Sequence, residues 1–283
     1  MLTPEQQTTY QRDGYLVLPH FKSPGAIQAL RQRAGDIVDA FVPPATKTIF
    51  TTNDQVRSVD RYFLDSAVNT SCFFEEEAFG PDGELRQAKA LSINKIGHAM
   101  HDLDPVFSAF SRGPELQQVA FGLGLALPEI WQSMYIFKQP GIGGEVGWHQ
   151  DATFFETTPI TVTTFWFALE DATVHNGCLW TQPGAHRSPL RERFVRDGDQ
   201  VTMQKLDATP WPDATTAIPL EVEAGALVVF HGLLPHYSAP NRSSASRHAY
   251  TLHVTDATAR YSPANWIQRG AAMPAPSLTA RLA

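Results

Sequence analysis

The sequence predicts a mainly β protein with flanking helices, its core a rolled sheet of barrel or jelly-roll type. Two capped helix signals precede Pro43. After Ile130 the chain becomes a series of short β-branched and aromatic runs: QSMYIFKQP, ITVTTFWFAL, GCLWTQP, ALVVFHG and HAYTLHVTDA. Turn signals GIGG, HNG, PGAH and EAG divide them. Many short strands split by Gly and Pro roll up on themselves, whereas a parallel α/β fold would alternate each strand with a helix.

Taken in order, Thr3 caps the first helix, Pro4 fills its first position, and Gln6 completes a capping box. Asp13-Gly14 breaks the helix, and YLVLPHF reads as a short strand. Ser23 caps and Pro24 opens a second helix, with Ile27, Leu30, Ala34, Ile37, Val38 and Phe41 recurring at helical spacing. Over 43–90 the pattern loosens into polar pieces such as TTNDQ and aromatic clusters, either a lid over a site or an ordered surface excursion. Tyr62, Phe63, Phe73, Phe74 and Phe79 in this stretch either line an apolar cavity or pack it onto the barrel. Val106, Phe107, Phe110, Leu116, Val119 and Ala120 place further helix between Asp102 and Leu125. The expected organisation is one domain over 1–283, with a helical part at 1–130, in which 43–90 is either a lid or a surface excursion, and a β core at 131–260.

With 283 residues, 43% of them apolar, the chain is long enough to close a sizeable core. No apolar run approaches the ~18 residues that a spanning helix needs. The opening MLTPEQQTTYQRDG lacks the basic and hydrophobic regions of a signal peptide, so the expected location is cytoplasmic. Cys72 and Cys178 are too few for a disulfide framework or a cysteine-built zinc site, so any metal must use His and carboxylates. A net charge of −7 with no basic run argues against nucleic acid. The expected partner is a small-molecule substrate, with no nucleic acid and no membrane; oligomeric state is not legible.

The stretch WHQDATFF sets His149 and Asp151 two residues apart. In a chain with 10 His about one such pair is expected by chance, so the spacing alone says little. On a strand, however, residues i and i+2 share a face, and the pair then offers a nitrogen and an oxygen to one ion. A facial triad needs a third donor from a distant strand and an open opposite side for substrate and oxygen. FHGLLPHYSAPNRSSASR offers His231 and His236, which geometry alone does not separate. A 2-oxoglutarate cosubstrate chelating such an iron leaves a distal carboxylate for a guanidinium to bind. Arg247 begins the alternating run RHAYTLHV and can point inward, whereas Arg242, in the turn-forming APNRSS, is expected to be exposed.

HQD at 149–151, HYSAPNRSSASR at 236–247 and the QRDGYLVLPHF opening resemble the phytanoyl-CoA dioxygenase family of iron- and 2-oxoglutarate-dependent oxygenases. Within it, SINKIGHAMHDLDPVF (92–107), QSMYIFKQPGIGGEV (132–146), EDATVHNGCLW (170–180) and YSPANWIQ (261–268) are similar to a narrower group, the phytanoyl-CoA dioxygenase domain-containing protein 1 type. The likeness runs over nearly the whole chain, is densest from Leu91 to Trp266 and is loosest over 43–90. It implies a double-stranded β-helix (jelly-roll, cupin-like) core, with Fe(II) held by His149, Asp151 and His236, and it selects His236 over His231. It implies Arg247 as anchor for 2-oxoglutarate, with Lys95, Ser238, Met134, Trp166 and Gln150 at the cosubstrate pocket. The implied reaction consumes O2 and 2-oxoglutarate, releases succinate and CO2, and hydroxylates a small molecule. Halogenases of related fold lack the carboxylate that Asp151 supplies, so hydroxylation is the subtype implied. Many relatives carry a serine where this chain has Ala185 in its PGAH turn, a change expected at the pocket rim and not at the metal. Two other readings use the same barrel: a zinc or nickel cupin, which has no need of Arg247, and a non-catalytic sensor, which would release no succinate.

Overall fold

The computed structural model describes residues 1–44, 48–49, 61–213 and 215–278. Helices α1 (Pro4–Asp13) and α2 (Pro24–Ala40) form where their caps place them. Thr3 Oγ1 accepts from Gln6 N while Gln6 Oε1 accepts from Thr3 N, and Ser23 Oγ accepts from Ala26 N. α1 stops at Gly14, whose φ of +82° is open to glycine and which has no room for a Cβ, since the His186 ring lies 2.4 Å from where one would sit. A short α3 (Arg61–Asp65) is followed by α4 (Met100–Leu103), α5 (Pro105–Ser111) and α6 (Pro114–Gly122). The expected helical stretch near Asp102–Leu125 is thus divided, because Pro105 and Pro114 cannot continue a helix and open new ones instead.

The strands are β1 (Tyr15–Leu18), β2 (Thr70–Phe74), β3 (Ile93–His98), β4 (Pro128–Ile136), β5 (Val146–His149), β6 (Thr157–Thr158), β7 (Thr163–Ala168) and β8 (Leu179–Thr181). They continue with β9 (Glu192–Asp197), β10 (Gln200–Lys205), β11 (Ile218–Leu220), β12 (Leu227–His231), β13 (His236–Ser238), β14 (Ala249–Asp256) and β15 (Arg260–Tyr261). Seven form one antiparallel sheet in the order β1-β12-β7-β14-β4-β3-β2, and four form a second in the order β11-β8-β13-β5. This is the jelly-roll core that the Gly- and Pro-punctuated runs predict. The β framework is not confined to 131–260, since β1, β2 and β3 join the large sheet from the helical part.

Within the 43–90 stretch, residues 45–47 and 50–60 lie outside the described residues. The remainder includes β2, paired in antiparallel register with β3 and so part of the sheet, not a cover over it. The β9–β10 hairpin was not among the predicted elements. Its signal was the Asp197-Gly198 pair between alternating runs, with Gly198 at φ +61°.

The large sheet divides its side chains by strand alternation. Tyr135, Tyr250 and Phe167 turn outward onto α5, with Phe107 5.3 Å from Tyr250 and Phe110 5.1 Å from Phe167, ring centre to ring centre. Inward go two cross-strand rows, Met134–Thr251–Trp166 and Gln132–His253–Thr164, which floor a cavity of about 370 Å³. Among the described residues no helix is long and apolar enough to cross a membrane.

Candidate metal centre and its cavity

His149 at the end of β5 stands opposite His236 at the start of β13, their rings 4.1 Å apart. Asp151 is not on the strand with His149 but opens a single 3-10 turn, Asp151–Thr153. The intervening Gln150 keeps extended dihedrals, φ −122° and ψ 131°, so the i, i+2 relation survives the end of pairing and still brings the carboxylate to the His149 side. One ligand atom from each of the three side chains lies within 4.8 Å of the others. Asp151 Oδ1 is 3.7 Å from His149 Nε2 and 3.8 Å from His236 Nε2, too long for hydrogen bonds.

The proton positions explain why these atoms converge. His149 Nδ1 is 2.8 Å from Gly147 O and His236 Nδ1 is 3.1 Å from Leu234 O. A carbonyl only accepts, so each Nδ1 carries its proton, and in the neutral ring each Nε2 is left as a lone pair. Two lone pairs and a carboxylate oxygen facing one point suit a cation there, and backbone partners on the far nitrogens are how metal-binding imidazoles are oriented. Burial alone would raise the Asp151 carboxyl, but positive charge on the imidazoles of His236, His253 and His149, when those rings are protonated, outweighs it and holds the group well below the usual carboxylate range. Of the two histidines that strand geometry left open, His236, the one the resemblance selects, is brought in. His231 ends β12, takes Leu233 N–H on Nδ1 at 3.0 Å and faces His186, while burial pushes it down to about 4.

In the same cavity wall, Arg247 is 1% exposed. Its Nε donates to Gly177 O at 3.1 Å and its Nη2 to Ser238 Oγ at 3.2 Å, while Trp166 lies beneath the guanidinium at 5.4 Å. Nη1 is buried with no hydrogen-bond partner among the described residues. An orphaned cationic donor is costly, so this atom marks where an anion belongs. Gly177 makes the approach feasible: its φ is +84°, and a Cβ there would sit 2.7 Å from both Ala239 O and the Lys138 side chain. Burial pulls the guanidinium down to about 10, still cationic at neutral pH. Lys95, 6% exposed, reaches the same wall with Nζ 3.8 Å from Met134 Sδ.

Other expected positions fall elsewhere. Gln150 does not line the cavity: its amide donates to Leu233 O and Pro189 O and accepts from Arg191 N, tying the end of β5 to two loops. Three unpaired backbone groups were within its reach, and a fully satisfied buried amide has no reason to turn to the pocket. Ala185 is not in the cavity wall either, so the departure in the PGAH turn leaves the rim as it is. Arg242 is exposed and pairs with Glu77 at 2.6 Å. Of the aromatic residues near β2, Phe63 lines the cavity and stacks on Trp266 at 4.6 Å, whereas Phe74 and Phe79 pack together away from it.

Of the cavity residues that the sequence reading did not single out, three bear on the chemistry. His253 and Thr164 both approach Asp151. The alternation that points Arg247 inward, carried six residues further along RHAYTLHV, was the available signal for His253. The third is Lys138, 1% exposed, whose Nζ donates to Gly144 O at 2.6 Å and Ser238 O at 3.3 Å. Burial first, then Arg247, pushes it down to about 7 against the pull of Glu75 and Glu145. Between about pH 7 and the ordinary lysine value near 10.5 the unfolded chain therefore binds the extra proton, and stability rises with pH, by at most about 1.4 kcal/mol per unit. Lys138→Met is expected to flatten that rise in urea midpoints taken from pH 7 to 9.5; an unchanged slope would show that Lys138 is not its source.

Comparison with known proteins decides the lineage. The family model described as phytanoyl-CoA dioxygenase (PhyH) matches residues 10–249. The chain belongs to the phytanoyl-CoA dioxygenase family. The phytanoyl-CoA dioxygenase of Arabidopsis thaliana is 45% identical over 276 residues, covering 97% of this chain and 96% of its own. The phytanoyl-CoA dioxygenase domain-containing protein 1 of Bos taurus is 42% identical over 287 residues, covering 98% of each. Among solved structures, EctD from S. alaskensis with 2-oxoglutarate and 5-hydroxyectoine shares the fold, with a TM-score of 0.63, 20% identity and coverage of 92% of this chain and 78% of that one. As a phytanoyl-CoA dioxygenase family member the chain has the His149–Asp151–His236 cluster and Arg247 inside the matched span, while His253 lies beyond its end.

Proposed function

We propose that the protein is an Fe(II)- and 2-oxoglutarate-dependent dioxygenase that hydroxylates a small-molecule metabolite. The observation that carries this reading is the pairing, in one cavity, of the His149–Asp151–His236 cluster with a buried guanidinium whose Nη1 has no hydrogen-bond partner among the described residues. Family membership and the fold shared with EctD support it. His149 and His236 through Nε2, and Asp151 through Oδ1, would hold the iron. Arg247, with Ser238 beside it, would receive the distal carboxylate of 2-oxoglutarate as a charge-assisted pair, and Lys95, Met134 and Trp166 would wall its chain. Iron so held supplies the coupled oxidation in which O2 converts 2-oxoglutarate to succinate and CO2 and delivers one oxygen atom to a substrate carbon.

The protein's own part is positioning and the exclusion of water. The backbone carbonyls of Gly147 and Leu234 fix both imidazole rings, and Phe63, Phe155 and Trp266 keep the inner wall apolar. The substrate is not to be read from the family's name, because sites and not folds set specificity.

The test is anaerobic addition of Fe(II) and 2-oxoglutarate, followed by admission of oxygen. The expected result is a weak visible charge-transfer band that decays on oxygen as succinate appears, slowly without substrate and faster with a matching metabolite from a screen. Folded protein that takes up iron yet shows neither band nor succinate would overturn the reading in favour of a metal-binding or sensing barrel.

A further inference from the structure

We infer that Thr164 and His253 form a positioning pair that sets which oxygen of Asp151 faces the metal; the inference rests on the reading above. Asp151 needs such help. It hangs in a single 3-10 turn beyond the end of β5, and rotation about the last carboxylate torsion is broad and two-fold, so nothing local distinguishes its two oxygens.

The two residues sit on neighbouring strands, His253 of β14 directly opposite Thr164 of β7, so their side chains rise together from the cavity floor. Thr164 Oγ1 donates to Asp151 Oδ2. His253 Nε2 stands 3.4 Å from Oδ1, the oxygen that His149 and His236 also face. The carboxylate thus has Oδ2 occupied by a hydroxyl and Oδ1 turned to the metal point.

The proton on His253 follows from its surroundings. Its Nδ1 is buried and has no partner among the described residues. In the neutral ring a proton there would be an orphaned donor, so Nε2 carries it and directs it at the carboxylate. The ring cannot swing away easily: it is 3% exposed and stacks on Phe155, 4.8 Å between centres and 17° between planes. His253 is not itself one of the three residues whose ligand atoms lie within 4.8 Å of one another, so its part is to hold a ligand rather than to be one. Outer-shell partners of this kind fix ligand orientation and are sensitive to removal.

The experiment titrates Fe(II) anaerobically into protein saturated with 2-oxoglutarate and follows the visible band. His253→Phe keeps the ring stack and removes the donor, while His253→Gln restores an N–H near the Nε2 position. Thr164→Val keeps shape and removes the hydroxyl, while Thr164→Ser restores it. The Phe and Val variants are expected to bind Fe(II) roughly 10- to 100-fold more weakly with a displaced band maximum, and the Gln and Ser variants to return within a few-fold of wild type. Phe and Val variants with wild-type iron affinity and band position, differing only in thermal midpoint, would overturn the pairing and leave packing as the whole role. If His253→Phe does not fold, the Val and Ser variants decide on the same criteria. Wild-type protein without a band would overturn the oxygenase reading and this inference with it, an outcome distinct from variants that match a band-bearing wild type.

Discussion

Asp151→Asn is expected to lower Fe(II) affinity by well over the ~100-fold that loss of an outer-shell partner costs, and to abolish succinate formation with it. The substitution is nearly isosteric, yet it replaces the only anionic donor of the cluster by a neutral amide. Asp151 is held ionised in a buried site, its carboxyl well below the ordinary range, so at neutral pH the wild type presents a full negative charge to the metal point. In the low-polarity interior that charge outweighs either imidazole lone pair as a source of cation affinity. The fold should survive, because the amide oxygen can still accept from Thr164 and the turn at Asp151–Thr153 keeps its backbone bonds. A thermal melt of the metal-free variant close to wild type, together with an Fe(II) titration showing no saturation, is the expected pair of results. Iron affinity within tenfold of wild type in Asp151→Asn would remove Asp151 from the ligand set.

Arg247→Met should separate cosubstrate binding from stability. Two charge-assisted hydrogen bonds to a carboxylate are worth about 3 to 6 kcal/mol, or roughly 10²- to 10⁴-fold in the 2-oxoglutarate Kd. Without the anion the same guanidinium is a liability, buried, with Nη1 unpartnered among the described residues and with its pKa pulled down to about 10 by burial. Replacing an uncompensated buried charge with an apolar side chain of similar length is commonly neutral or stabilising. Little is left stranded, since Gly177 O still accepts from Ser238 Oγ at 2.9 Å. The ligand-free melting temperature is therefore expected to hold or rise while 2-oxoglutarate binding, read by calorimetry in the presence of iron, collapses. Full 2-oxoglutarate affinity in this variant would show that another cation anchors it.

Local chemistry was legible where one stretch of chain carries its own reason. The caps at Thr3 and Ser23 form because hydroxyl and backbone N–H are three residues apart, whatever the rest of the molecule does. The five apolar runs after Ile130 each hold a strand or the end of one, and strand alternation was enough to aim Arg247 inward. Gln150 misled for a related reason. Its place between two ligands says that it lies near the site, but its side chain answers to Leu233, Pro189 and Arg191, which local spacing does not see. His253 was missed although the same alternation reaches it, because nothing near it in the chain says that a carboxylate waits across the sheet.

Local chemistry in the chain carries the short elements and their inward faces, and its motifs carry the kin to which it belongs and the choice of His236 over His231. Three-dimensional packing alone reveals that Asp151 completes the cluster from a turn, that His231 faces His186, and that Thr164 and His253 flank the carboxylate. The reason is one of range. Backbone sterics and alternation act over a few residues, whereas the register of β13 on β5 and of β14 on β7 is set by the packing of two whole sheets, and that register brings together atoms nearly a hundred residues apart.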